Sequence, residues 1–440
     1  MGLLSFIGGI HPPHAKKASE KKAIIRAVEP KIVRIPLRQH IGAPCDPTVA
    51  KGDYVKVGQE IGEVSSFVCA PVHSSVSGTV LDIKKIDVLG GQDTCIIIES
   101  DGKNELHESV QPKGDIDSLE PKQIIEIIRN AGIVGMGGAG FPTHVKLSPP
   151  PEKTIDSIIL NGAECEPYLT ADHRLMLESP EKVVYGLKAI MKAVGVTKGY
   201  IGIEDNKPDA IAAMKTAANG ESGIEVVGLH TKYPQGAEKQ LIYACTKREV
   251  PSGGLPMDAG AVVNNVATAA AVADAIQLGM PSVERICTVT GAGITDPQNL
   301  LIKVGTELSE IVEQCGGYKG TPGKIILGGP MMGIATHIDA IPSTKTTSGV
   351  LVFTPEEARL PEAVNCIKCG KCVDICPAFL QPAALSAYCL KGLNEHAEKN
   401  NVLDCIECGS CSFVCPSKRP LLHSIRVGKR EVMAARRKSK

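Results

Sequence analysis

Tryptophan is absent from this 440-residue chain, and with six phenylalanines and eight tyrosines its aromatic content is only 3%. So few rings give no stacking platform for nucleic-acid bases, and a formal net charge of +0 gives no basic footprint for a phosphate backbone. Nucleic acid is therefore discounted as a partner. No apolar run approaches the roughly twenty residues that a membrane-spanning helix requires. The opening segment Met1-Gly2-Leu3-Leu4-Ser5-Phe6-Ile7 lacks the basic start and cleavage site of a secretory signal. Missing too is any Ser/His/Asp or Cys/His constellation of the kind that marks a protein nucleophile.

Cysteine, by contrast, is abundant at 16 residues. Eight fall in two copies of one pattern, Cys366-x2-Cys369-x2-Cys372-x3-Cys376-Pro377 and Cys405-x2-Cys408-x2-Cys411-x3-Cys415-Pro416. This is bacterial-ferredoxin spacing, in which three close thiolates hold most of one [4Fe–4S] cluster and the fourth ligates its neighbour. The expected grouping is Cys366, Cys369, Cys372 and Cys415 on one cluster, with Cys405, Cys408, Cys411 and Cys376 on the other. Structural zinc uses C-x2-C pairs, so a third cysteine two residues further on, twice over, fits zinc poorly. The remaining cysteines are scattered singly from Cys45 to Cys389, as suits reduced, buried thiols in a cytoplasm. Cys389 reads as one of these and not as a ninth ligand, and no metal is assigned to His11, His73, His144 or His173.

With 43% hydrophobic and 22% charged residues, a chain of this length is expected to form several cores, mixing α/β and α+β domains. Residues 1–30 read as an extended arm. Short β-type runs at 32–35, 54–57, 78–81 and 95–98, separated by glycine and proline, mark a compact β domain over 31–112. Its stretch from Ala70 to Val80 looks like the barrel-sandwich hybrid of biotinyl and lipoyl carriers. It lacks their exposed hairpin lysine, which points to docking or scaffolding. Residues 113–282 alternate strand and helix: an apolar helix face at Ile124, Ile125, Ile127 and Ile128, a strand at 154–160, a helix at 181–194, a strand at 200–203 and a helix at 207–218. Residues 283–350 form a small α+β module around a helix at 306–315. Residues 351–440 are helical between cysteine loops and end in a basic, solvated tail, Arg436 to Lys440.

Gly135-Met136-Gly137-Gly138-Ala139-Gly140 satisfies G-x-G-x-x-G, but an amphipathic helix precedes it where a dinucleotide fingerprint needs a strand. Its glycines still allow close backbone approach and N–H groups facing an anion, with Lys146 able to add a cation. Asn161-Gly162-Ala163-Glu164-Cys165-Glu166-Pro167 follows the strand at 154–160, at the sheet edge where ligands bind. The pair Asn264-Asn265 can both donate and accept, as the edge of an isoalloxazine requires.

Gly137 to Thr143, Asn161 to Pro167, Gly236 with Glu238, and Asn264-Asn265-Val266 with Thr268 together resemble the FMN/NADH subunit of respiratory complex I. Preceded by Gly8-Gly9-Ile10-His11-Pro12-Pro13 and the β domain, and followed by the double ferredoxin motif, they resemble the C subunits of Rnf electron-transport complexes. The region 283–350 looks like the SLBB module of such proteins. The resemblance implies FMN against Gly137, Gly138 and Gly140, with Asn161, Glu164, Asn264, Asn265 and Thr268 around it. It also implies Phe141 as a stacking face and Lys146, Glu166 and Glu238 on the NADH side. The chain departs from the complex I pattern at Ala163, Ala237 and Ala267, where that pattern is acidic. The implied activity is electron transfer between NAD(H), FMN and two [4Fe–4S] clusters, with membrane partners on the cytoplasmic face and coupling to ion translocation by the whole complex. The rival readings are a soluble reductase of the cobalamin-reductase type, whose sandwich follows the flavin domain, and a non-catalytic iron–sulfur scaffold.

Overall fold

The computed structural model describes residues 3–438. At its centre lies a four-stranded, all-parallel sheet in the order Ile224–Leu229, Gly199–Glu204, Ser157–Asn161, Ala261–Asn265. Gly199–Glu204 is buried at every position, as a strand covered on both faces by helices should be. The helix Pro180–Val194 begins on proline and ends on Gly195 at φ 77°, and it turns Val183, Leu187 and Ile190 inward. It crosses the alanine-rich helix Val266–Gln277 so closely that a Cβ on Gly186 would lie 1.9 Å from the Ala269 carbonyl oxygen.

The β domain is a sandwich of two antiparallel sheets. One has four strands, Ile32–Pro36, Gly91–Ser100, Gly78–Val88 and Tyr54–Val55; the other has three, Asp46–Pro47, Glu60–Glu63 and Val72–His73. The module after residue 283 is built on a six-stranded sheet that takes in Glu284–Thr290, Gln298–Lys303, Lys324–Leu327 and Gly349–Phe353. No helix among the described residues is long and apolar enough to cross a membrane.

Two features differ from the sequence reading. The arm is not merely extended, because Ile24–Arg26 adds a parallel edge strand to the six-stranded sheet beside Gln298–Lys303. Upstream, Leu4 bridges Leu229 and Ile10 bridges Tyr233. The basic tail is exposed, as expected, but it is helical: Arg436, Arg437 and Lys438 form the last turn of the helix Leu421–Lys438, where cations suit the negative end of the helix dipole. Ser439 and Lys440 lie outside the described residues.

Candidate flavin and cluster sites

The glycine-rich segment closes on itself, with Gly135 N–H donating to the Phe141 carbonyl at 2.9 Å and leaving residues 137–139 exposed. Its base is fixed from three sides. Met136 N–H donates to Thr268 Oγ1 (3.1 Å), the buried Arg285 donates to the Met136 carbonyl (3.0 Å), and Ile41 N–H donates to the Gly140 carbonyl (3.0 Å). A Cβ on Gly137 would stand 2.7 Å from Asn265 Nδ2, so close approach to the sheet edge requires glycine there. A Cβ on Gly138 would meet nothing within 4 Å among the described residues, so that side of the loop is open.

The two asparagines at the end of Ala261–Asn265 have different fates. Asn265 caps the helix Val266–Gln277, accepting the Ala267 N–H at 2.8 Å, and donates to Asp172 at 2.6 Å. Asn264 is only 3% exposed, yet neither its Oδ1 nor its Nδ2 has a hydrogen-bond partner among the described residues. A buried amide left so costs about 1–3 kcal/mol, which a polar ligand would recover. Asn161 is half-buried and donates to the Gly236 carbonyl at 2.8 Å. Lys146 donates to the Val263 carbonyl at 2.7 Å and pairs with Glu238 at 3.4 Å.

The structure therefore gathers Gly137, Asn161, Asn264, Asn265, Lys146 and Glu238 at one edge of the sheet. Thr268 is fully buried and serves as the anchor of the glycine loop. Both acids of the 161–167 segment are engaged elsewhere. Glu164 accepts the Asp172 and His173 N–H groups at 2.8 and 3.2 Å, capping the helix Ala171–Glu178. Glu166 accepts the Met331 and Met332 N–H groups at 3.0 and 2.9 Å, which ties the sheet edge to the SLBB-like module. Sequence reasoning missed Lys16 and Arg285, two buried cations beneath this edge. Lys16 donates to the carbonyls of Glu164 and Glu166, each at 2.9 Å, and to that of Leu169. Burial, reinforced by the charge of Glu164, pushes Asp172 up to about 6, and Arg285 opposes the rise. A lysine in an N-terminal arm and an arginine inside a strand carry no local signal of such roles.

In the C-terminal domain, Cys376, Cys405, Cys408 and Cys411 line one small cavity walled by Ile375, Leu380, Leu385 and Ile425. Cys411, Cys415 and Leu421 pack together with Cys372 against them, whereas Cys366 and Cys369 are exposed. Burial pushes the thiols of Cys405 and Cys411 up to about 11 and about 12, so forming thiolates there calls for the positive charge of iron. The cavity abuts the α/β domain. Tyr233 donates to the Cys408 carbonyl at 2.8 Å, Gln240 donates to the Pro377 carbonyl at 3.0 Å, and Gly9 N–H donates to the Ile375 carbonyl at 2.8 Å.

A glycine cradle with an unpartnered buried amide at the ligand edge of a parallel sheet, bonded to a domain with eight ferredoxin-spaced thiols, defines a flavin–iron–sulfur electron-transfer protein. The comparisons with known proteins agree. Residues 4–103 match the RnfC barrel sandwich hybrid domain, 128–274 the Nuo51 FMN-binding domain, 286–335 the SLBB domain and 365–419 a 4Fe-4S dicluster domain. The chain is 52% identical, over 99% of its length and 98% of the relative's, to the C subunit of the Na(+)-translocating ferredoxin:NAD(+) oxidoreductase complex of Acetobacterium woodii. It is 51% identical, over 100% of its length and 96% of the relative's, to the proton-translocating counterpart from Clostridium ljungdahlii. A crystal structure of an NAD+-reducing [NiFe]-hydrogenase shares the fold at TM-score 0.50 and 20% identity, over 75% of this chain and 67% of that one. The chain belongs to the family of C subunits of ion-translocating ferredoxin:NAD(+) oxidoreductase complexes.

Proposed function

We infer that this chain is the peripheral electron-transfer subunit of such a complex, exchanging electrons between NAD(H) and membrane partners at the cytoplasmic face, with ion translocation carried out by the assembly. The observation that carries this reading is the short connection between the two sites, four residues of chain with a hydrogen bond at each end. In the loop 233–236, Tyr233 bonds the carbonyl of Cys408 while the Gly236 carbonyl accepts from Asn161 at the sheet edge.

Bound flavin mononucleotide supplies the conversion between the two-electron hydride of NADH and the single electrons that each cluster accepts. The protein supplies placement. Gly137, Gly138 and Gly140 let the backbone approach the ligand, and Asn264 offers it an acceptor and two donors. Asn161 and Asn265 shape the floor, and Phe141 is the stacking face. Lys146 and Glu238 line the nicotinamide side, while Thr268, Glu164 and Glu166 hold the surrounding loops. Cys376, Cys405, Cys408 and Cys411 would hold the cluster beside the flavin domain, where Tyr233 bonds the Cys408 carbonyl. Cys366, Cys369, Cys372 and Cys415 would hold the other, with Cys366 and Cys369 exposed. Anaerobic titration of cluster-loaded protein with NADH tests the reading: flavin and then cluster absorbance should bleach. Bleaching by dithionite alone would defeat it.

A further inference from the structure

Outside the cluster domain, His40, Cys45 and Cys69 meet in the sandwich, and they are the group among the described residues whose ligand atoms all lie within 4.8 Å of one another. They come from three turns: His40 follows Ile32–Pro36, Cys45 precedes Asp46–Pro47, and Cys69 precedes Val72–His73. All are buried, at 7%, 4% and 2% exposure. Cys45 Sγ stands 3.5 Å from Cys69 Sγ, and His40 Nε2 stands 3.6 Å and 4.0 Å from the Cys69 and Cys45 sulfurs. A disulfide would need about 2.05 Å between the sulfurs. Two thiolates each about 2.3 Å from a tetrahedral ion stand about 3.8 Å apart, and the observed edges cluster around that value.

The imidazole is also oriented as a ligand. His40 Nδ1 lies 3.3 Å from the Ile41 carbonyl, which accepts its N–H and leaves Nε2, the nitrogen nearer the sulfurs, unprotonated. We propose that His40, Cys45 and Cys69 bind one thiophilic divalent cation, Zn²⁺ by class, with water or the Ala70 carbonyl, 3.4 Å from Cys45 Sγ, as fourth ligand. Binding converts two thiols to thiolates and releases two protons to solvent as one doubly charged ion enters, so the buried site gains no net charge. His40 Nε2 accepts the Ala70 N–H at 3.1 Å, and a bound cation would take that lone pair in place of the amide.

The ion would cross-link the turns at 38–45 and 66–70, which are otherwise joined by the Ala43 N–H to Val68 carbonyl bond of 3.1 Å. Because Ile41 N–H donates to the Gly140 carbonyl, this is also the layer on which the glycine loop rests. The inference concerns the sandwich alone and does not depend on the flavin reading.

The test is metal analysis and zinc-edge X-ray absorption on the full-length protein, purified without added metal, alongside Cys69→Ser and His40→Gln. The expected result is about one zinc per chain, with two sulfurs at about 2.3 Å and at least one nitrogen. Both variants should lose the zinc and keep their iron. No zinc in the wild type would overturn the proposal, and so would a Cys45–Cys69 disulfide on peptide mapping. Zinc ligated by four sulfurs, or retained in both variants, would place the ion in the ferredoxin motifs and overturn it equally. If neither variant folds, the wild-type sulfur and nitrogen count decides alone.

Discussion

At the residue scale, the neighbours Asn264 and Asn265 separate structure from function. The sequence presents them as an equivalent pair at a strand end. Only the fold reveals that one amide is a helix cap bonded to Asp172 and that the other is buried with neither atom partnered among the described residues. Asn264→Leu should therefore lower flavin content at least about tenfold while leaving the flavin-free protein as stable or more so, because an unpaired buried amide costs about 1–3 kcal/mol. Flavin absorbance and melting temperature read the two effects separately, and full flavin occupancy would remove Asn264 from the site. His73 gives a pH prediction. Burial, aided by the charge of Lys345, pushes its pKa down to about 3, against about 6.5 in an unfolded chain. Its contribution to stability is thus complete above about pH 6.5 and is lost as the pH falls toward 3, with a slope of up to about 1.4 kcal/mol per unit. The drop in melting temperature between pH 7.5 and 5.5 should be smaller in His73→Asn than in the wild type; equal drops would show that other groups govern the acid limb.

At the scale of elements, local pattern was informative wherever partners lie nearby in sequence or where burial enforces a period. The helix expected at 181–194 is Pro180–Val194, that at 207–218 is Pro208–Ala217, and the strand read at 200–203 is Gly199–Glu204. The edge strand Ile24–Arg26 was not legible, because its burial pattern is largely exposed and its pairing partner lies far along the chain. The helix pair Pro382–Leu390 and Leu421–Lys438 explains the isolated Cys389. A Cβ on Gly428 would come within 2.2 Å of Cys389 Sγ, so the sulfur fills the space that glycine leaves. Gly428→Ala should loosen the cluster domain and lower its iron content, at a cost of about 1–3 kcal/mol. Adding Cys389→Ala should restore much of the loss, a coupling that iron assay of the two single variants and the double variant measures. Cys389→Ala alone should keep its full iron.

At the scale of the whole molecule, crossed ligation would make the two ferredoxin motifs one unit, with Cys376 of the first motif lying in the cavity of the second. Cys376→Ser should remove the cluster on the flavin-domain side and spare the exposed one, halving iron and leaving a single paramagnetic centre after reduction. Loss of the exposed cluster instead would reverse the grouping. The N-terminal arm binds these parts together. It bridges Leu229 and Tyr233 of the α/β domain, bonds the backbone at Ile375 in the cluster domain, and pairs with Gln298–Lys303. The arm leaves the ribosome well ahead of every surface it binds. Contacts of this sequence separation slow folding, because the loop they close must be ordered first. The arm's bond from Gly9 to the Ile375 carbonyl, beside Cys376, is one that a chain shortened at its start would lack, leaving that backbone uncovered.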